Sequence, residues 1–202
     1  IPIPRTGSVY DYNFNPKDHS WIPWTDCLPK TGIAADAQFS NIFVPTIITA
    51  QLHELLQLLV THSKAVLLVG STGTGKSAFI NKLLNKDLPD DKWSSISLAF
   101  SANTSANMTQ AIVDGKLDKR RKGVFGPALN TKAVIFVDDI NMPEVEEYGA
   151  QPPIELLRQF CCDKGWYDIN DKTFRSIIDT QLICAMGPPG GGSSEITPRF
   201  MR

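Results

Sequence analysis

Residues 65–77 read AVLLVGSTGTGKS, and this stretch decides the fold of the 202-residue chain. The apolar run 65–69 predicts a buried β-strand, and residues 78–86, AFINKLLNK, predict a helix. Between them, residues 70–77 fit the pattern G-x-x-x-x-G-K-[ST], in which small residues let successive backbone N–H groups point into one hollow. The positive end of the following helix adds to the positive potential in this hollow. The stretch therefore predicts a phosphate-binding loop between a strand and a helix.

Each part of this loop has a predicted role in holding a nucleotide. Lys76 is predicted to place its ammonium on the β- and γ-phosphates, and the Ser77 hydroxyl is predicted to ligate Mg²⁺. The strand before the loop and the helix after it disfavour an accidental glycine-rich turn. The predicted nucleotide-binding residues of the loop are Gly70, Ser71, Thr72, Gly73, Thr74, Gly75, Lys76, Ser77 and Ala78.

A second apolar run, residues 134–137, ends in two carboxylates. A phosphate-binding loop needs an acidic metal partner on a neighbouring strand before it can support hydrolysis. Asp138 is predicted to hold Mg²⁺ through water, and Asp139 is predicted to polarise the attacking water. The alternative is a strand end that carries two solvated acids. The presence of a phosphate-binding loop in the same chain disfavours this alternative.

The alternation of strand-length apolar runs with helical stretches predicts an α/β fold. The near-continuous Val, Ile and Leu of the strands indicates a parallel sheet that is covered by helices on both faces, a three-layer αβα sandwich. An amphipathic helix begins after Thr46, and the turn-prone Asn170-Asp171 predicts a hairpin over residues 166–175. The predicted strands are 65–69, 96–100, 133–137 and 181–186, and the later helices lie near 76–86, 105–118 and 153–163.

The first forty residues are rich in Pro, Asn, Asp and Trp and show no sustained period. This composition predicts an irregular segment, residues 1–40, that packs on the remainder of the chain. Residues 41–202 are then expected to form the main nucleotide-binding domain.

Composition argues against several classes of protein. The chain has 20 basic and 21 acidic residues, so nothing global points to a nucleic-acid or membrane-surface protein. No apolar stretch approaches the roughly 20 residues that span a bilayer, and the amino terminus lacks a signal-peptide layout, so we expect a soluble intracellular chain. The cysteines form no C-x-x-C pair, which predicts reduced, mostly buried thiols; they are Cys27, Cys161, Cys162 and Cys184.

One local basic cluster stands out at residues 116–122, KLDKRRK. Acidic residues interrupt it and no aromatic side chains are interleaved, which favours a solvated loop or an intramolecular docking surface. Contact with nucleic acid or with microtubules is the alternative.

The remaining signals narrow the class of nucleotide-binding protein. A guanine-specific site requires N-K-x-D, whereas residues 85–88 read NKDL and lie on the first helix after the loop. A small-molecule kinase requires a substrate pocket and an arginine-rich lid, and neither is visible in the sequence. Guanine specificity and a small-molecule kinase are therefore both disfavoured.

Four stretches together resemble the third AAA+ module of the dynein heavy chain, in its axonemal forms. They are GSTGTGKS (70–77), FSANTSANMTQAIVDGKLDKRRKGVFGP (100–127), VIFVDDINMPEVEEYGAQPPIELLRQF (134–160), and CAMGPPGGG followed by TPRF (184–200). The segments YGAQPPIELLRQ and KLDKRRKG are far more specific than the phosphate-binding loop. The similarity runs from about Asn41 to the end and continues more loosely through the first forty residues.

The resemblance implies a ring of six AAA+ modules in one giant chain, of which this is the large subdomain of one module. It implies ATP or ADP with Mg²⁺ as ligands, and a role in the microtubule-based motility of cilia. Adjacent modules of the same chain are implied partners, and light chains, intermediate chains and microtubules are implied partners of other parts of the full chain, which includes a coiled coil. The implied location is the cytoplasm, the cytoskeleton and the axoneme of the cilium, with no nucleic-acid or membrane partner.

The resemblance also carries residue roles. The segment Ile42, Phe43, Val44, Pro45 and Thr46 is implied to lie against the adenine, although packing of the helix start explains its apolar character equally well. Arg199 is implied to act in trans on the nucleotide of the preceding module, where its cation offsets phosphate charge. Arg202 is the second candidate for that role.

Three departures from the family pattern weaken a simple ATPase interpretation. Asp139 is one methylene shorter than the usual glutamate, and Gly187 stands where many AAA+ modules carry an asparagine that orients the lytic water. The helical lid and the fifth strand are expected beyond Arg202. Two alternatives therefore stay open: a module that binds nucleotide without hydrolysis, and a free-standing P-loop ATPase.

Overall fold

The computed structural model describes residues 2–28, 44–190 and 192–201. The chain forms two compact units, Ile1–Leu58 and Leu59–Arg202. The boundary between them falls within helix α1 (Ile47–Thr61). No helix in the described ranges is long and apolar enough to cross a membrane.

The first unit contains regular structure that the sequence analysis did not predict. A short 3₁₀ helix, Val9–Asp11, begins at a capping box in which Ser8 and Asp11 exchange hydrogen bonds. Strands β1 (Tyr12–Asn15) and β2 (Ser20–Pro23) follow as an antiparallel hairpin. The Phe14 and Trp21 rings pack across it with centroids 5.1 Å apart. This cross-strand aromatic pair stabilises the hairpin. The sequence pattern could not indicate it, because strands of four residues are too short to show a period.

Helix α1 confirms the predicted amphipathic helix, and its apolar face is buried only in part. Thr46 caps the helix by exchanging hydrogen bonds with Thr49, at 2.7 and 3.3 Å. Among the apolar residues that define the predicted face, Leu56 is buried, whereas Ile48 and Leu55 are 74% and 52% exposed. The three- and four-residue spacing of apolar residues therefore predicted the helix correctly.

The second unit alternates strands and helices. Its elements in chain order are β3 (Val66–Val69), α2 (Lys76–Lys82), β4 (Trp93–Ala99), α3 (Ala106–Asp114), β5 (Asp118–Arg121), β6 (Val124–Gly126), β7 (Lys132–Asp138), α4 (Pro152–Asp163), β8 (Gly165–Tyr167), β9 (Phe174–Ile177) and β10 (Thr180–Met186).

Four of these strands form the main sheet, in the order β3-β10-β7-β4, and every pairing in it is parallel. The interior residues of β7 and β10 are buried without alternation, because both faces of these central strands are covered. The structure thus confirms the predicted α/β class with a parallel sheet.

Alternate residues of the sheet face one large apolar cluster beneath α3 and α4. Ile135 and Val137 on β7 and Leu182 and Cys184 on β10 belong to it. The helices contribute Val113, Ile154, Leu157 and Phe160. On the opposite face, the Gln181 side chain donates a hydrogen bond to the Val60 carbonyl at 3.1 Å, so the end of α1 covers that side.

The helices differ in length from the prediction. Helix α2 ends at Lys82 and continues as a π-helical turn, Leu83–Asp87. Helix α3 ends at Asp114 rather than near residue 118, because the following residues enter a second sheet. Helix α4 begins at Pro152, where proline suits a first helical turn.

The second sheet has the order β5-β6-β9-β8. It confirms the predicted hairpin, since β8 and β9 pair antiparallel with Trp166 opposite Arg175. It also corrects the prediction of a solvated loop for the basic cluster, because residues 118–121 form strand β5 against β6. The charges that marked this segment as a loop lie on an edge strand, where charged side chains are common.

Candidate functional site

The predicted phosphate-binding loop connects β3 to α2 at the carboxyl edge of the main sheet. Its first residue is anchored to a neighbouring strand, since the Gly70 N–H donates to the Met186 carbonyl at the end of β10, at 3.2 Å. Gly70 also packs closely, because a Cβ there would lie 3.3 Å from Thr74 Oγ1. The loop therefore starts from a defined point of the sheet.

Two glycines give the loop its curvature. Gly73 and Gly75 have φ of +83° and +81°, a region that favours glycine. A Cβ on Gly75 would also lie 3.2 Å from the Phe79 ring, whereas one on Gly73 would meet nothing within 4 Å. The loop thus packs closely against α2 at Gly75 and leaves open space at Gly73, as the binding of an external phosphate requires.

The amide donors of this loop are available to a ligand. Gly75 caps α2 without a side-chain hydrogen bond. The first N–H groups of a helix have no acceptor within the helix, so the amides at the start of α2 are donors without an intrahelical partner. The helix dipole adds positive potential at the same place.

Lys76 lies over the loop. Its Nζ donates to the Gly70 carbonyl at 2.7 Å and to the Ser71 carbonyl at 2.9 Å, and Thr74 Oγ1 donates to the same Ser71 carbonyl at 2.8 Å. The ammonium is therefore held above the loop by backbone oxygens. Ser77 is half-buried in the first turn of α2, and the exposed residues of the loop are Ser71, Thr72, Gly73, Thr74 and Ala78.

The two predicted carboxylates take different conformations at the end of β7. Asp138 is half-buried, and its Oδ1 accepts the Asp139 N–H at 3.1 Å. Asp139 is exposed and has φ of +52°, so the chain turns sharply there. The Met142 N–H then donates to the Asp139 carbonyl at 3.0 Å and closes the turn.

The sheet order places the loop and the carboxylates at the same edge. Strands β3 and β7 both lie next to β10, so their carboxyl ends are roughly 10 Å apart at the usual spacing of paired strands. Over the described ranges, no group of three or more His, Cys, Asp or Glu side chains can hold a metal ion. These residues fit Mg²⁺ that is bound with phosphate, because Mg²⁺ in proteins commonly uses one or two carboxylates together with ligand phosphates.

Asn141 is a residue of this site that the sequence analysis missed. Its side chain is fully buried, and its Nδ2 donates to the Gly187 carbonyl just after β10, at 2.9 Å. Its backbone carbonyl accepts the Ser194 N–H at 2.9 Å, whereas its Oδ1 has no hydrogen-bond partner among the described residues. Asn141 thus ties the turn after the carboxylates to the loop after β10. The only signal in the sequence was a polar residue two positions after the acidic pair.

The other predicted site residues belong to other elements or to the first unit, or lie outside the described residues. Arg199 is 70% exposed, and its guanidinium lies 3.2 Å from Glu155 Oε1 on α4. Val44, Pro45 and Thr46 belong to the first unit, and Thr46 serves there as the cap of α1. Ile42, Phe43 and Arg202 lie outside the described residues. The roles of Arg199 and of residues 42–46 stay predictions.

Comparison with known proteins agrees with this geometry. Dynein axonemal heavy chain 12 of Rattus norvegicus is 47% identical over 203 residues, which covers 100% of this chain and 7% of the relative. Dynein axonemal heavy chain 1 of Mus musculus is 46% identical over 219 residues, with 100% and 5% covered. Dynein axonemal heavy chain 3 of Mus musculus is 48% identical over 203 residues, with 99% and 5% covered.

The chain thus spans less than a tenth of the length of these relatives. A family model described as the P-loop-containing dynein motor region matches residues 31–202. With the phosphate-binding loop on a parallel α/β sheet, this match shows that the chain belongs to the family of P-loop-containing dynein motor regions.

Proposed function

We propose that this chain is the large, nucleotide-binding subdomain of the third AAA+ module of an axonemal dynein heavy chain. In this proposal residues 1–40 pack on a domain formed by residues 41–202. The module binds ATP or ADP with Mg²⁺ and regulates, or contributes to, microtubule-based motility in the ciliary axoneme. The observation that carries the proposal is the Gly70–Ser77 loop, with left-handed Gly73 and Gly75 and an anchored Lys76, at the same sheet edge as Asp138.

Each residue of the site has a task in this proposal. The amides of the loop bind phosphate oxygens, and Lys76 moves its ammonium from the loop carbonyls to the β- and γ-phosphates. Ser77 and Asp138 hold Mg²⁺, the latter through water. When bound, Mg²⁺ neutralises charge on the phosphates and so favours attack by water. Asp139 is the candidate base for that water.

The proposal extends to neighbouring parts of the full heavy chain. Residues 42–46 contact the adenine, and Arg199 reaches the nucleotide of the preceding module. The 70% exposure of Arg199 supports this role, because an exposed ion pair such as the one with Glu155 is weak and leaves the guanidinium free to exchange its partner. Light chains, intermediate chains and microtubules contact other parts of the full chain. The similarity to three axonemal heavy chains supports this assembly and its location.

Substitution of Lys76 tests the proposed nucleotide site. Calorimetric titration of the chain with Mg-ATP and Mg-ADP should show affinity roughly 10- to 100-fold lower for Lys76→Ala, because a charge-assisted contact to the phosphates is lost. Lys86→Ala is the matched control, since it removes the same charge from an exposed position and should bind as the native chain does. Equal affinities of Lys76→Ala and the native chain would refute the assignment.

A module that binds nucleotide without hydrolysing it is the second candidate function. The left-handed, exposed Asp139 and the glycine at position 187 favour this candidate, because neither supplies a long, well-supported base or a side chain to orient water. Single-turnover hydrolysis at this module within a full heavy chain, compared with Asp139→Asn, separates the two. Hydrolysis that falls about 100-fold in the variant identifies Asp139 as the base. An unchanged, nonzero rate removes Asp139 from that role.

A further inference from the structure

The carbonyl of Ser71 accepts two hydrogen bonds from side chains of its own loop. Thr74 Oγ1 donates to it at 2.8 Å, and Lys76 Nζ donates to it at 2.9 Å. The same ammonium lies 3.5 Å from Thr74 Oγ1. The carbonyl oxygen, the hydroxyl and the ammonium therefore form a closed triangle. Because a carbonyl oxygen has two lone pairs, these two donors share its full accepting capacity.

The hydroxyl of Thr74 is held against the first residue of the loop. Its Oγ1 lies 3.3 Å from the position that a Cβ on Gly70 would occupy, which limits its movement on that side. A hydroxyl has one proton, and the Ser71 carbonyl accepts the proton of Thr74. At 3.5 Å the contact of Thr74 Oγ1 with Lys76 is weak. The hydroxyl therefore binds the carbonyl and holds the ammonium only slightly.

Lys76 has to change partners if the loop binds a nucleotide as proposed above. Its ammonium donates to the Gly70 and Ser71 carbonyls in the structure, and it moves to phosphate oxygens when the nucleotide binds. The Gly70 carbonyl loses its lysine donor in either case. The Ser71 carbonyl keeps one donor, because the Thr74 hydroxyl does not depend on the lysine.

The two donors on the Ser71 carbonyl also weaken each other. Their hydrogens carry like partial charges and compete for the electron density of one oxygen. An ammonium that shares this oxygen with a hydroxyl is therefore bound less tightly than one that has the oxygen to itself. Loss of the hydroxyl would strengthen the bond between Lys76 and the loop, and this bond competes with the phosphates for the lysine.

We propose that Thr74 is a positioning residue of the nucleotide site, and that its hydroxyl occupies the Ser71 carbonyl so that Lys76 can transfer to the phosphates. This role rests on the proposed nucleotide site. It differs from a role in the shape of the loop alone, because shape would affect nucleotide binding equally with and without Lys76. A role in releasing the lysine requires that the lysine be present.

A double-mutant cycle on the full chain tests this role by calorimetric titration with Mg-ADP. Thr74→Val keeps the branched shape at Cβ and removes the hydroxyl, and it should weaken binding roughly three- to tenfold. In the Lys76→Ala background the same change should weaken binding less than about twofold, because the ligand then displaces only water from the Ser71 carbonyl. Thr74→Ser keeps the hydroxyl and should bind as the native chain does.

Exchange of the Lys76 ammonium protons with water gives a second measurement, without nucleotide. NMR of the ¹⁵N-lysine-labelled chain at low pH and low temperature should show slower exchange in Thr74→Val, because the ammonium is bound more tightly. Thr131→Val is the matched control for both measurements. The Thr131 hydroxyl also donates to the carbonyl three residues earlier, that of Ala128, at 2.8 Å, but it lies just before β7, away from the loop. Its loss should change neither Mg-ADP affinity nor Lys76 exchange.

The proposal is overturned if Thr74→Val binds Mg-ADP as the native chain does, or if it weakens binding by the same factor with and without Lys76. Unchanged exchange of the Lys76 ammonium in Thr74→Val would also overturn it. These results leave the nucleotide site intact, provided that Lys76→Ala still lowers the affinity. If Lys76→Ala binds Mg-ADP as tightly as the native chain, the nucleotide site itself is refuted and the role of Thr74 with it.

Discussion

At the residue scale, the buried side chain of Asn141 links two loops of the site. It lies two residues after Asp139 and donates to the Gly187 carbonyl just after the neighbouring strand β10. Through this bond the turn that carries the carboxylates is tied to the loop after β10. The position of Asp139 therefore depends on a hydrogen bond to a loop residue that lies 46 positions further along the chain.

Asn141→Ala should destabilise the chain by about 1–3 kcal/mol, because the half-buried Gly187 carbonyl loses its donor and the removed amide leaves a small void in the interior. Urea unfolding followed by circular dichroism measures this change. The exposed Asn103 provides the control, since Asn103→Ala should change the free energy of unfolding by less than about 0.5 kcal/mol. Equal stabilities of the two variants would show that the Asn141 bond contributes nothing.

At the scale of elements, Asp114 joins the end of α3 to the β8–β9 hairpin. Its Oδ1 accepts the Trp166 indole N–H at 3.1 Å, and its Oδ2 accepts from Arg175 at 2.9 Å. Arg175 also pairs with Asp168. One carboxylate thus satisfies a fully buried indole and a half-buried cation at the end of α3.

Asp114→Ala should cost about 2–4 kcal/mol, because it leaves the Trp166 N–H without a partner and removes one of the two carboxylates from Arg175. The midpoint of urea unfolding and the near-UV signal of Trp166 report the loss. Asp118→Ala, four residues later on the exposed strand β5, removes the same charge and should leave the midpoint nearly unchanged. A midpoint for Asp114→Ala that matches the Asp118 variant would contradict this account of the junction.

At the scale of the whole chain, stability depends on a neutral thiol in the centre of the sheet. Cys184 is 1% exposed on β10, and burial raises its pKa well above the ordinary value of 9.0. The unfolded thiol therefore ionises at a pH where the folded thiol stays neutral. Stability from this group is complete below about pH 9 and declines as the pH rises above that value.

Cys184→Ala tests this pH dependence. The native chain should be more stable than the variant by a constant amount from pH 6 to 8, and this difference should shrink above about pH 9, by up to about 1.4 kcal/mol per pH unit. Val137→Ala is the control, because Val137 pairs with Cys184 in the sheet, is equally buried and cannot ionise. A Cys184 difference that stays constant to pH 10 would show that the thiol does not couple folding to pH.

The features that were predicted correctly from the sequence are determined by residues that lie close together in the chain. The phosphate-binding loop needs glycine at Gly73 and Gly75 because of their own backbone angles, and a buried strand reveals itself in a continuous apolar run such as residues 134–137. The β8–β9 hairpin was predicted from its turn residues for the same reason. The parallel sheet and the family could therefore be predicted from the sequence.

Contacts between residues that lie far apart in the chain could not be predicted from the sequence. The Asn141 bond to Gly187, the Asp114 junction and the Gln181 bond to Val60 connect residues 46 to 121 positions apart, and no local pattern encodes such pairs. The charges of the basic segment 118–121 predict a loop, because the sequence does not reveal that this segment pairs with strand β6. Charge and periodicity act within a few residues, whereas burial and pairing arise only when the sheet assembles, and so these contacts depended on the folded chain.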